Sequence, residues 1–412
     1  MTGGDALPAS SFVPAIVLLM ACIVIAALII FVVPGIITAT KTESPVITVT
    51  VPNPPVPVAG EEGIHLAYEL EISPFDEKTL SLERVEVIDP STGENIYTLE
   101  KDLLQYLYHP ASEPPPTAGE LMNGTNKLLK PRISLWIVVD PGSVPDRLVH
   151  RIRFNTTTIY SGETTVMKDR TPVIIGPPMR GGNWIAMETT SPFTHHFRSQ
   201  ITLGGVTRVP QRYAQDWDGV DPVTGSITSG NISLPQNYQG YGKEVLAVAN
   251  GTIEDRMDGV PDNEQNFDVP PFNVSTAAGN YVIIDIGNGK YACYGHLIPG
   301  SLRVKTGDHV TEGQVLGLMG SSGNSDLPHL HFQVSDSPSF LSAEGYPHVY
   351  RSFDVVARWN ITAMVIQAAT DADYKPTDMW SRFNTTVETL PAPVHRENCL
   401  PEDYAIVRFP IT

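Results

Sequence analysis

Two histidines stand two residues apart in LPHLHFQV, residues 327–334, and a third lies upstream in YGHL at His296. In an extended strand residues i and i+2 share a face, so His329 and His331 project side by side. Two imidazoles on a rigid strand suit a metal site, or a ligand beside a proton carrier. A bare His-x-His is more often a pair of partly buried strand histidines, so the surrounding chain has to decide.

The chain has 412 residues, with 33 glycines, 36 prolines and a formal net charge of −18. That length allows two or three domains with real cores. Short β-branched and aromatic runs between turn residues make the fold mainly β. The acidic balance excludes a nucleic-acid backbone as partner, because phosphate binding needs clustered Lys and Arg.

Residues 12–33 (FVPAIVLLMACIVIAALIIFVV) carry no charge and are long enough to cross a bilayer as a helix. Residues 1–11 form a short tail, 12–37 a transmembrane signal-anchor, and 38–62 a Pro-rich stalk. The Lys and Arg balance around the span gives weak and slightly contrary advice on orientation. Asn-x-Ser/Thr sequons at Asn123, Asn155, Asn231, Asn250, Asn273, Asn360 and Asn384 favour a glycosylated exterior body. The expectation is a single-pass membrane protein with its bulk outside the cytoplasm. Cys293 and Cys399 are the only exterior cysteines; one disulfide is allowed but not implied.

From residue 63 alternating runs such as IHLAYELEI, LERVEVIDP and RISLWIVVD predict a β-sandwich, Ig-like, over 63–170. No catalytic cluster stands out within it, which reads as a spacer or docking module. A second β region spans 171–350, and 351–412 reads as an accessory segment packed beside it.

The segment VKTGDHVTEGQVLGLMGSSGNSDLPHLHFQV, together with the upstream YGHL, resembles the lysostaphin-type (LytM-like) zinc metallopeptidase domain. The resemblance covers residues 245–334 well and reaches loosely back to about 190. The preceding sandwich and QRYAQDW look like a membrane-anchored branch of that family. It implies a small antiparallel β-sheet with a groove lined by the site residues.

It also implies a catalytic zinc held by one His, an Asp four residues later and the second His of His-x-His. Carried over, Asp216 and His331 are ligands, and His329 and His296 flank the attacking water as proton carriers. Arg212 and Tyr294 are assigned to substrate binding, Arg212 either holding a substrate carboxylate or pairing with Asp216. The substrate class is a peptide or cell-wall-type peptide cross-link.

One position departs from the pattern. Four residues before Asp216 stands Arg212, whose guanidinium has no lone pair to offer a metal. THHFRSQITLGGVTRVPQRYAQDW reads as a hairpin turning at Gly204-Gly205. With paired numbers summing to 408, His196 sits opposite Arg212 and reaches towards Asp216, completing a His196, Asp216, His331 set. A one-residue slip would present His195 instead. Without either, the chain is a degenerate, non-catalytic LytM-like binding or regulatory module of the cell envelope.

Overall fold

Strand Ile64–Ser73 shows how the chain is layered. Its even positions Leu66, Tyr68, Leu70 and Ile72 enter one apolar cluster, while Ala67 enters another. The opposite face also carries Glu69, fully buried. Its antiparallel neighbour Arg132–Val139, in register from Ile64↔Val139 to Glu71↔Arg132, behaves alike. Ile133, Leu135 and Ile137 join the first cluster and Trp136 the second. A strand with both faces covered cannot be a solvated sandwich face.

The computed structural model describes residues 46–74, 80–221, 223–263, 273–360 and 387–411, and the fold is mainly β with several sheets. Two five-stranded sheets build the amino-terminal part around the first cluster. An eleven-stranded sheet and two two-stranded sheets build the rest. The expected membrane span falls outside the described residues. Among the described residues no helix is long and apolar enough to cross a membrane.

Two expected boundaries shift. Part of the Pro-rich stalk is sheet: Thr48–Thr50 and Val58–Ala59 both pair antiparallel with Ile64–Ser73. The backbone amides and carbonyls that proline spares are enough to add these short edges. The carboxy-terminal segment belongs to the large sheet, where Ala405–Arg408 lies between His348–Trp359 and Trp184–Met187. The boundary at 350 therefore cuts through a strand. That sheet also has one parallel pair, Val173–Ile175 with His348–Trp359, where an all-antiparallel sheet was expected.

Cys293 and Cys399 are both buried free thiols. The sequon residues Asn123, Asn155, Asn231, Asn250 and Asn273 are exposed.

Candidate metal centre

Strand Gln215–Gly219 is buried along its whole length between Trp184–Met187 and Leu330–Ser335. Its register sets Asp216 directly opposite His331. Cross-strand partners on one face bring their Cβ atoms to about 5 Å, and His331 Nδ1 lies 3.0 Å from Asp216 Oδ1. On the other side of His331 the facing residue in strand Tyr291–Leu297 is Gly295.

Simple alternation would turn His296 away from that face. Instead His296 has φ 62°, a left-handed backbone. Its ring lies 4.7 Å from that of His329 and 5.9 Å from that of His331, centroid to centroid. The SSGNS loop holds it there, with Ser322 O 2.7 Å from His296 Nδ1. Gly323 in that loop is required: at φ +78° a Cβ would fall 2.3 Å from the Gly279 nitrogen.

His196 also arrives, by a different route from the one expected. Gly204 and Gly205 do form the turn, both with positive φ. A two-residue turn makes Leu203 and Val206 the closing pair, so the register sums to 409, one more than expected. The strand moreover begins only at Ile201. His195–Arg198 is a single helical turn, capped where the Thr194 side chain accepts from the Phe197 amide. From it His196 Nε2 reaches 3.4 Å from Asp216 Oδ2.

The four buried imidazoles share one arrangement. Each has one nitrogen against an oxygen that can only accept, which can hold the proton there, and His331 has a second such oxygen, of Asp216, at its other nitrogen. For His196 the acceptor is Glu188 O at 2.9 Å, and for His329 it is Leu327 O at 2.8 Å. For His331 it is Gln333 Oε1 at 2.9 Å, with the Gln333 amide nitrogen turned to Ser335 Oγ at 2.8 Å. Three imidazole nitrogens then face one carboxylate, since His329 Nε2 stands 3.5 Å from Asp216 Oδ1. Lone pairs facing a carboxylate repel unless a cation or a proton stands between them.

Burial pushes His196 and His296 well below the ordinary imidazole pKa, which keeps both neutral. Burial would raise Asp216, but His196, His329 and His331 outweigh it and hold the carboxyl well below its usual range. Neutral imidazoles and an ionised carboxylate are the donor set that suits zinc. His195, His196 and Asp216 also form a group of metal-type donors, all within 4.8 Å of one another. His195 is the more exposed member, and its Nδ1 pairs with Glu188 Oε2 at 3.0 Å. Among these donors His331 is better placed than His195, being buried and aimed directly at Asp216. All six residues line one open cavity of about 400 Å³.

Arg212 and Tyr294, expected to touch substrate, lie elsewhere. The Arg212 guanidinium is buried and paired with Glu69 and Glu344, away from the histidines. Burial opposes its charge, and the two carboxylates more than offset that, raising its pKa above the ordinary value. Tyr294 has no exposed surface, and its hydroxyl accepts from the Val248 amide at 2.8 Å. Sequence reasoning missed Gln333 and Asp218, although the period of two puts each on the face of the residue two before it. Asp218 is buried with neither oxygen hydrogen-bonded, and burial pushes its carboxyl up to about 8.

Residues 236–341 match the profile of Peptidase family M23. This part of the chain is a peptidase family M23 domain. The match contains His296, His329 and His331, while His196 and Asp216 precede it. Endolysin 2638A of Staphylococcus phage 2638A is 35% identical over 124 residues, 25% of this chain and 25% of that protein. Glycyl-glycine endopeptidase ALE-1 of Staphylococcus capitis is 41% identical over 139 residues, 31% of this chain and 34% of its own length. Peptidoglycan DD-endopeptidase ShyA of Vibrio cholerae is 44% identical over 57 residues, 14% and 13% of the two chains. The chain thus spans at most about a third of these relatives.

Among solved structures, the catalytic domain of lysostaphin from Staphylococcus simulans is similar at 24% identity and TM-score 0.19. It covers 29% of this chain and 84% of that one. A zinc-containing peptidase from Vibrio cholerae is similar at 14% identity and TM-score 0.21, covering 70% and 84%. At those scores neither overlay bears on the placement of any residue in this M23 domain.

Proposed function

We propose that the chain is a zinc-dependent endopeptidase that hydrolyses a peptide bond in a cell-envelope peptide or cross-link. The observation that carries this is the convergence of three imidazole nitrogens, from His196, His329 and His331, on the buried Asp216 carboxylate. His196, Asp216 and His331 would hold the zinc, with His196 standing in for the ligand that Arg212 cannot supply. Zinc supplies Lewis-acid polarisation of the carbonyl and lowers the pKa of a water to about 7.

The chain's own residues do the rest. Leu327 O keeps the His329 proton on Nδ1, so Nε2 can take a proton from the attacking water and later pass it to the leaving amine. Ser322 O does the same for His296, whose Nε2 is then oriented beside the reacting carbonyl. Burial keeps His296 neutral, so it begins the cycle able to accept a proton. Phe340 and Leu341 on the cavity wall exclude water from one side of a bound peptide.

The substrate class rests on the matched relatives, whose names are those of a peptidoglycan endopeptidase and a glycyl-glycine endopeptidase. The apolar run at residues 12–33 supports placing the body outside a membrane, anchored by that run. Carbonate extraction of membranes and protease protection test this placement; a chain released by carbonate would reject it.

Metal analysis of the detergent-purified full chain tests the enzyme reading. The expected result is a single zinc per chain, absent in His331→Ala, and release of cleaved peptides from purified peptidoglycan. A preparation that stays metal-free after zinc reconstitution would leave the non-catalytic envelope module, which Arg212 at a ligand's position favours.

A further inference from the structure

We infer that the amino-terminal β domain is a positioning part of the metal centre, setting His196 through Trp136 and Tyr106 and the approach to Asp216 through Glu69. This rests on the reading of His196 and Asp216 as ligands.

The helical turn that carries His196 has four residues, His195–Arg198. A segment that short has no stability of its own, because the nucleation cost of a helix is not recovered in one turn. Something else must hold it: Glu188 does so at the histidines, and further contacts come from the amino-terminal domain. Phe197, next to His196 and fully buried, meets the Trp136 ring edge-on at 5.0 Å between centroids. Trp136 is itself fixed, its Nε1 donating to His65 Nδ1 at 2.9 Å, with His65 Nε2 3.2 Å from Glu402.

Tyr106 grips the same turn from outside. Its hydroxyl donates to Phe193 O at 3.1 Å, and the Arg198 guanidinium sits 3.8 Å above its ring. Behind the turn, Thr125 and Thr202 exchange backbone hydrogen bonds at 3.0 and 2.7 Å, tying the following hairpin to the same domain.

The second ligand is approached from the same domain. Arg212, four residues before Asp216, donates to Glu69 on strand Ile64–Ser73, with one contact of 2.8 Å. Trp136 also lies 6.1 Å from the Tyr213 ring. Both chain segments that enter the centre from outside residues 236–341 therefore lean on the amino-terminal sheet. The arginine that stands at the expected ligand position is the clasp to that sheet, and the imidazole that fills in comes from a turn held by it.

The test uses the full chain, apo and reloaded with cobalt(II), whose visible absorption reports ligand geometry. Trp136→Ala should weaken cobalt and zinc binding about 10–100-fold, the range seen when partners that orient ligands are removed. It should also alter the cobalt band, and Trp136→Phe should restore most of both. Tyr106→Phe, which removes only an exposed hydroxyl's bond, keeps the question answerable if Trp136→Ala does not fold. It should weaken binding by a few-fold, with KM for peptide substrate unchanged.

Folded variants with wild-type metal affinity and an unaltered cobalt band would overturn the inference while leaving the zinc reading intact. A wild-type chain that binds neither ion would overturn both.

Discussion

Two buried polar clusters lie four residues apart along one segment, and they solve the same problem in opposite ways. Around Arg212 a cation is supplied by the chain and two carboxylates, Glu69 and Glu344, neutralise it. Around Asp216 the chain supplies a carboxylate and imidazole nitrogens, and among the described residues no Lys or Arg pairs with it. The first cluster is complete as a structural joint. The second, on the proposed zinc reading, is completed by a guest ion.

The largest test of this contrast is to empty the second cluster. His329→Ala should lower peptidase turnover by roughly 10²–10⁴-fold, the usual worth of a positioned acid–base group, while zinc content stays at the wild-type level. Asp216→Asn should lose the metal as well, which elemental analysis will show. A His329→Ala chain that turned over normally would remove that residue from the proton path.

Breaking the first cluster should cost stability instead. Arg212→Met leaves Glu69 and Glu344 buried without a counter-ion and should destabilise the chain by about 3–5 kcal/mol in urea denaturation. An unchanged midpoint would mean that the joint is not structural.

The guest ion should act on one cluster only. Zinc at a hundred times its dissociation constant should stabilise the wild-type chain by about 2.7 kcal/mol. The same addition should shift Arg212→Met by less, since its clasp to Glu69 sets the approach to Asp216, and Asp216→Asn by nothing, in parallel thermal melts.

The smallest effect concerns a carboxyl that has neither solution. Asp403 is buried beside Glu188, and burial first, then that neighbour, raise its pKa to about 7. A carboxyl raised on folding binds more protons folded than unfolded between its two pKa values. Its stabilising contribution is therefore full below about pH 4 and is lost as pH rises towards 7. Asp403→Asn should melt higher than wild type at pH 8 and equally at pH 4; equal melts at both would show Asp403 to be unshifted.

The sequence carried the site and the β character better than it carried the joins. His329 and His331, with Gln333 unnoticed beyond them, were legible because strand alternation is a local rule. His196 was proposed for a geometric reason whose details fail, since Thr194 caps a helical turn where a strand was expected. Short elements follow their tertiary surroundings over their propensity. The partner of Arg212 could not be read, because Glu69 lies 143 residues away and sits in an alternation that looks solvated from the sequence alone. A sheet face that is polar for a buried partner has the same pattern as one that is polar for water.

The left-handed backbone at His296 bears on how this protein could be improved or worn down. A non-glycine residue held at φ 62° carries conformational strain of order 1–3 kcal/mol, which the surrounding structure has to sustain. Glycine would adopt that backbone freely, so selection for thermal robustness alone would favour its loss. On the proposed function, the imidazole at 296 is thus kept at a cost in stability, and a chain with no use for turnover would have reason to give it up.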